Sequence, residues 1–291
     1  MKRAIFSLYI DVPEKEHFGN DLDRILPHSI KRANETRANF KKHYNRLVDC
    51  KVKYCNHIGV DFKMFEYDND YQDYHNFFVN NYPVINGYEV VNFYKIKKLC
   101  DLAKEYDEIL YLDFDAVPLT KLNFFDKWNL SDGICVKNND KEIRHHKPLL
   151  ELRQSTRSPT AKYYNAQAML LHSNRSPKNN VINTGIIGAT KEDINKLDFF
   201  GDFDKTMKLM TMLREEKDSM YPKNIQDLFR YDNETIFSYK VKLNEVTIQW
   251  LNEDWHYFFT NQKFIPDTTK IVHAVNKDFD TVWRFCEKNN L

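Results

Sequence analysis

The apolar run Ile109-Leu110-Tyr111-Leu112 ends abruptly in Asp113-Phe114-Asp115, and this junction constrains the fold more than any other feature of the chain. A strand buried on both faces reads as such a run, and open α/β sheets hold their ligands beyond the carboxyl ends of such strands. Asp113 and Asp115 then project near one point, where a divalent cation can neutralise them. Hard carboxylate oxygens suit Mn²⁺ or Mg²⁺, metals that usually sit against substrate phosphates. A solvated strand-to-loop turn carries the same D-x-D pattern, so both readings stand on this stretch alone.

The flanking segments supply the rest of an α/β domain. Residues 4–10 read as a first strand, a charged segment over 29–57 as mostly helix, and 60–67 as a second strand by its alternation. Residues 68–83, rich in Asp, Asn and Tyr, are expected to be loop. Val90, Phe93, Ile96, Cys100 and Ala103 recur at helical spacing over 89–104 and lead into the Asp113 strand. Helix followed by strand, repeated, implies a mostly parallel central sheet flanked by helices. Further strands are expected over 133–136, 181–189, 246–250 and 270–273, with helices over 191–216, from Asp232, and over 279–287. Between these lies a polar stretch, 137–180, with nine Lys or Arg against three Asp or Glu and two Ser-Pro pairs. It is expected to be an irregular basic insertion, either a lid over an anionic substrate or a solvated loop. No repeat or linker interrupts the chain, so its 291 residues read as one domain.

Composition removes several classes. A net charge of +1 argues against a dedicated nucleic-acid or membrane-surface protein. Only seven glycines are present, and no G-x-G-x-x-G or G-K-[ST] run occurs, which excludes the dinucleotide fingerprint and the P-loop. Five cysteines without a C-x-x-C pair point to free thiols, hence a reducing compartment. Lys2 and Arg3 precede a short apolar run that Asp11 interrupts, so no signal peptide is expected, and no stretch reaches the length of a membrane span. A cytoplasmic protein is the expectation.

Four spaced pieces carry a family resemblance: Tyr111-Leu112-Asp113-Phe114-Asp115, Ile182-Asn183-Thr184-Gly185, Asp232-Asn233-Glu234, and Ile271-Val272-His273 followed by Lys277 and Trp283. Together they resemble glycosyltransferases of the GT-A fold, most nearly the glycogenin and galactosyltransferase-like family 8, over roughly residues 85–285. The resemblance implies a single Rossmann-like domain, with residues 1–115 as the nucleotide-binding half and 116–291 as the acceptor-binding half. It implies that Asp113, Asp115 and His273 bind Mn²⁺ or Mg²⁺, and that the metal holds the diphosphate of a nucleotide-sugar, a UDP-sugar by family habit. It further implies that Lys277 contacts phosphate, although the family's preceding glycine is absent here. Asn183 and Gly185 would line the donor-sugar pocket. Asp232 would hold sugar hydroxyls, with helix N-capping as its ordinary alternative. Asn233 would face the anomeric carbon with an amide one carbon shorter than the usual glutamine. Tyr9 and Asp68 would receive the nucleobase, and Lys95 ribose or phosphate. Retention of configuration is implied; inversion would need a general base, for which Glu234 is the candidate. The acceptor is a glycan, a lipid-linked sugar or a protein side chain.

Two other functions fit parts of the pattern. Asp113-Phe114-Asp115-Ala116-Val117 matches the nucleophile loop of haloacid-dehalogenase-like phosphotransferases, with Asp113 attacking phosphorus. That loop normally lies near the amino terminus, and Gly201-Asp202-Phe203-Asp204 has the wrong spacing for the second acidic pair. A non-catalytic nucleotide-sugar-binding module is the other alternative.

Overall fold

In the computed structural model, β1 (Arg3–Tyr9), β2 (Asp61–Glu66) and β3 (Glu108–Leu112) pair in parallel, β2 with β1 and β1 with β3. The structure describes residues 1–14, 16, 27–85, 87–143, 158–215, 217, 219, 221–226, 228–260 and 262–290. Helix α1 (Pro27–Ile58) joins β1 to β2, and α2 (Asn69–Asn81) and α3 (Gly87–Leu102) join β2 to β3. Parallel neighbours need such long returns, and the returning helices cover the sheet. The chain continues as β4 (Ala116–Pro118), β5 (Ile134–Asn138), α4 (Pro159–His172), β6 (Ile182–Thr190), α5 (Lys191–Leu197) and α6 (Phe203–Glu215). It ends with α7 (Asn233–Leu243), β7 (Ile248–Trp250), β8 (Tyr257–Phe258), β9 (Ile271–His273) and α8 (Phe279–Lys288). The large sheet runs β2-β1-β3-β6-β5-β7, and three of its five ladders are parallel, as expected of an α/β domain.

Strand β3 is buried at every position and sends alternate residues to opposite faces. Ile109 and Tyr111 join one core with Phe78, Phe93, Phe203 and Phe237. Leu110 and Leu112 join a second with Tyr54 and Cys55 of α1, Phe124 and Trp255. Each large side chain so buried contributes roughly 1.5–3 kcal/mol. A third cluster, including Phe114, Val117, Val272, Phe279 and Trp283, sits under a small second sheet ordered β4-β9-β8.

Several expectations change. Residues 68–83 are mainly helix: Asp68 caps α2 by accepting Tyr71 N–H at 2.9 Å, and Tyr71 and Phe78, seven apart, are buried on one face. The insertion expected over 137–180 carries a helix, α4, in its second half. Ser158 caps α4 by accepting Ala161 N–H at 3.2 Å, and Pro159 occupies the first turn, where its missing N–H costs nothing. Ala161, Asn165, Ala168, Met169 and Leu170 bury the inner face of α4, so this segment is core and not lid. Residues 144–157 of that expected insertion lie outside the described residues. The single helix expected over 191–216 is two, separated at Asp198 and Asp202, whose φ of 44° and 49° are left-handed. Strand β6 runs antiparallel to β3. All five cysteines are free, and no described helix is long and apolar enough to cross a membrane.

Candidate functional site

Backbone register builds the site. Asp113 extends the β3–β6 pairing by one bond, its N–H donating to Gly185 O at 2.8 Å. The chain then turns back, Ala116 N–H donating to Asp113 O at 2.9 Å, and β4 departs into the second sheet. There Ala116 stands opposite His273, and Ala274 N–H donates to Asp115 O at 2.9 Å. Two strands distant in sequence thereby bring Asp113, Asp115 and His273 together.

One ligand atom from each of these three residues lies within 4.8 Å of the others. His273 Nε2 is 3.4 Å from Asp115 Oδ2 and 3.7 Å from Asp113 Oδ2. Asp115 and His273 are buried and Asp113 half-buried. Two carboxylates and an imidazole form a chemically reasonable set for Mn²⁺, and the oxygens also suit Mg²⁺. Gly185 leaves the space they converge on: an added Cβ would lie 2.5 Å from His273 Cε1 and 2.9 Å from Asp113 Oδ2. The donor set and this clearance together fit a divalent cation.

Lysines surround the carboxylates. Lys277, in the turn after β9 with a left-handed backbone φ of 60°, pairs with Asp115 Oδ2. Burial pushes the Asp115 carboxyl up, but the Lys277 and His273 beside it outweigh that and hold it well below the usual carboxylate range. Lys95, from α3, lies 3.6 Å from Asp113 Oδ1 and donates to Thr184 O at 3.1 Å. Tyr111 adds a hydroxyl bond to Asp113 Oδ1 at 2.6 Å, two residues along the same face of the strand. Beneath the turn, the fully buried Lys51 of α1 donates to Phe114 O at 2.8 Å and Leu47 O at 3.3 Å. Burial pulls its pKa down, while Cys50 and the two aspartates work in the opposite direction.

A second cluster adjoins through β6. Glu234 Oε1 accepts from Asn183 Nδ2 at 3.1 Å, Thr184 N–H at 2.9 Å and Thr184 Oγ1 at 3.2 Å, and its Oε2 pairs with Lys162 of α4. Burial raises the Glu234 carboxyl, but Lys162 and Lys95 outweigh it and hold the group below its ordinary value. Asn183 Oδ1 also accepts Gly185 N–H at 3.0 Å, tying this cluster to the triad's clearance. Buried Asn233 donates to Thr184 Oγ1 at 2.9 Å. Asp232 caps α7: one oxygen accepts Glu234 and Thr235 N–H, both at 3.0 Å, and the other accepts Thr235 Oγ1 at 2.7 Å.

The sequence-derived residues thus fall into groups. Asp113, Asp115, His273, Lys95, Lys277 and Gly185 meet at the triad, and Asn183, Asn233 and Glu234 form the adjoining cluster. Asp68 and Asp232 are helix caps. The Tyr9 ring stacks on Phe114 at 4.8 Å, and burial followed by Asp11 pushes its hydroxyl up to about 12. Its hydroxyl, shielded from solvent, has no hydrogen-bond partner among the described residues. Sequence reasoning missed Tyr111, Lys51, Lys162 and His256. His256 is fully buried, and its Nε2 lies 3.0 Å from His273 Nδ1. Burial, then the neighbouring His273 and Lys137, pushes its pKa well down.

No protein-family model matches the chain, and no curated protein matches it. Among solved structures, it is similar to an active-site mutant of LgtC, at 10% identity over 99% of this chain and 95% of that one, with a TM-score of 0.49. It is similar to mouse xyloside xylosyltransferase 1 at 10% identity, over 95% of this chain and 99% of that one, with a TM-score of 0.47. A third similar structure is a glycosyltransferase involved in glycosylation of the major capsid of PBCV-1, at 12% identity over 100% of both chains and a TM-score of 0.43.

Proposed function

We propose that the chain is a divalent-metal-dependent glycosyltransferase of GT-A architecture that moves a sugar from a nucleotide-sugar, a UDP-sugar, to a glycan, lipid-linked or protein acceptor. The observation that carries this reading is the Asp113-Asp115-His273 triad, assembled from two strand ends beside a glycine clearance and ringed by lysines. When bound, Mn²⁺ or Mg²⁺ would neutralise the departing nucleoside diphosphate as the glycosidic bond breaks. Asp113, Asp115 and His273 would hold it. Lys95, fixed between Asp113 and Thr184 O, supplies a stationary positive charge. Lys277, about one-fifth exposed, sits at the rim, where it can turn toward a phosphate.

Retention of configuration fits the second cluster better than inversion. A general base must be free to accept a proton from the acceptor hydroxyl. Glu234 is instead buried, paired with Lys162 and engaged by three donors, all of which weaken it as a base. Its role is to order Asn183 and Thr184 along the strand that borders the triad. The phosphotransferase alternative draws no comparable support: among the described residues, the acidic group at Asp113 contains Asp115 and His273 and no further carboxylate.

Incubation with UDP- and GDP-sugars and Mn²⁺, with release of nucleoside diphosphate as the readout, tests the reading. Release from one donor class is expected, and its loss in folded Asp115→Ala and His273→Ala variants. A stable aspartyl-phosphate at Asp113 would instead identify a phosphotransferase.

A further inference from the structure

We infer that His256 is the positioning residue for His273, accepting the proton on His273 Nδ1 and so presenting the lone pair of Nε2 to a divalent cation; this rests on the metal-site reading above. An imidazole that ligates through Nε2 must carry its ring proton on Nδ1, and that proton needs an acceptor to fix the tautomer and the ring angle. Metal-binding histidines usually direct this N–H to a carboxylate, a backbone carbonyl or water. Here a second imidazole occupies that place.

Two observations support the assignment. The two rings lie nearly parallel, 21° apart, with His256 Nε2 3.0 Å from His273 Nδ1, while His273 Nε2 faces the two aspartates. The arrangement is held from outside the pair. Strand β8 places Phe258 opposite His273, and the Phe258 ring packs edge-on against both imidazoles, at 4.8 Å from His256 and 5.4 Å from His273. The His256 backbone is anchored by its N–H to Asn252 O at 3.1 Å, and its carbonyl accepts Lys137 Nζ at 3.0 Å.

The remaining ring atom makes no bond of its own. His256 Nδ1 is shielded from solvent and has no hydrogen-bond partner among the described residues. A buried polar atom without a partner is unfavourable and is retained where another requirement demands it. With Nε2 accepting from His273, the His256 proton resides on Nδ1. This atom is unpartnered in either tautomer, so the direction of the bond between the two rings follows from the ligand role of His273 Nε2. Lys137, paired with Glu253 at 2.7 Å, places a cation at the carbonyl of this same residue.

The test is Mn²⁺ binding to the full chain without nucleotide, followed by the electron paramagnetic resonance signal of the free ion, in wild type, His256→Phe and His256→Gln. Phenylalanine keeps the ring volume and removes the acceptor; glutamine places an amide oxygen near the position of Nε2. Expected is a roughly 10- to 100-fold loss of Mn²⁺ affinity in His256→Phe, with His256→Gln within about threefold of wild type. Thermal melts without metal monitor folding. Equal affinity in wild type and His256→Phe overturns the assignment while leaving the metal site in place. So does a His256→Gln variant that melts like wild type yet loses as much affinity as His256→Phe. Absence of Mn²⁺ binding in wild type overturns the metal reading itself, and this assignment with it.

Discussion

Gly185 and His273 come so close that a single methyl group on Gly185 would lie 2.5 Å from Cε1 of the imidazole. The methyl would also meet Asp113 Oδ2 at 2.9 Å, so relief on one side worsens the other. In Gly185→Ala, the histidine must rotate or β6 must shift. Overpacking of this kind costs about 1–3 kcal/mol. The expected result is a stability loss in that range, together with at least a tenfold loss of Mn²⁺ affinity, measured by denaturant unfolding and metal titration on one preparation.

A metal held by Asp115 would compete with Lys277 for one oxygen. Asp115 Oδ2 is the atom paired with the lysine and also the atom 3.4 Å from His273 Nε2. Lys277→Met should therefore bind Mn²⁺ alone more tightly, by roughly fivefold, corresponding to about 1 kcal/mol for a partly exposed pair. The same variant should bind nucleoside diphosphate with metal more weakly, because the cation at the rim is gone. Calorimetric titration with Mn²⁺ and then with UDP separates the two effects.

The buried Glu234–Lys162 pair makes stability pH-dependent in a defined direction. The folded carboxyl sits below its ordinary value of 4.5, so the unfolded chain binds the proton more readily. The stabilisation is therefore present above about pH 4.5 and is lost as pH falls through the lower, folded value. Glu234→Gln should be less stable than wild type by about 3 kcal/mol at pH 7, and this gap should narrow below that point. Unfolding midpoints in urea at pH 7 and pH 3.5 check the sign.

Asp232 distinguishes a cap from a sugar contact. Removing a cap by alanine costs about 1 kcal/mol, whereas asparagine caps nearly as well. Asp232→Ala should lose that amount and Asp232→Asn almost none, with donor turnover in the latter within about threefold of wild type. Unchanged stability with abolished turnover would place the carboxylate on the donor.

The parts of the site that the sequence made legible are those carried by local pattern. An apolar run stopped by two carboxylates identifies β3 and its carboxylate-bearing end, and the helical spacing before it identifies α3. His273 was reachable through the resemblance, together with the short apolar strand that carries it. His256 was not, because it precedes a two-residue strand, and only the Phe258–His273 register shows which histidine it meets. Lys162 was obscured by the polar composition around it, although Ser158-Pro159 is a helix start signal four residues before it. Helix α2, expected as loop, was hidden in the same way: Tyr71, Tyr74 and Phe78 form an aromatic stripe at helical spacing within an otherwise loop-like composition. Gly185 has no positive φ to mark it, and its necessity comes from a histidine far along the chain.

If Asp113, Asp115 and His273 hold a metal, that metal should in turn hold a nucleoside diphosphate. The deciding measurement is calorimetric titration of UDP, and in parallel GDP, into the full chain with Mn²⁺ or with EDTA. Expected are binding of one of the two diphosphates with Mn²⁺, at least tenfold weaker binding in EDTA, and none in Asp115→Ala. Equal affinity with and without metal, or binding of neither diphosphate, would contradict this.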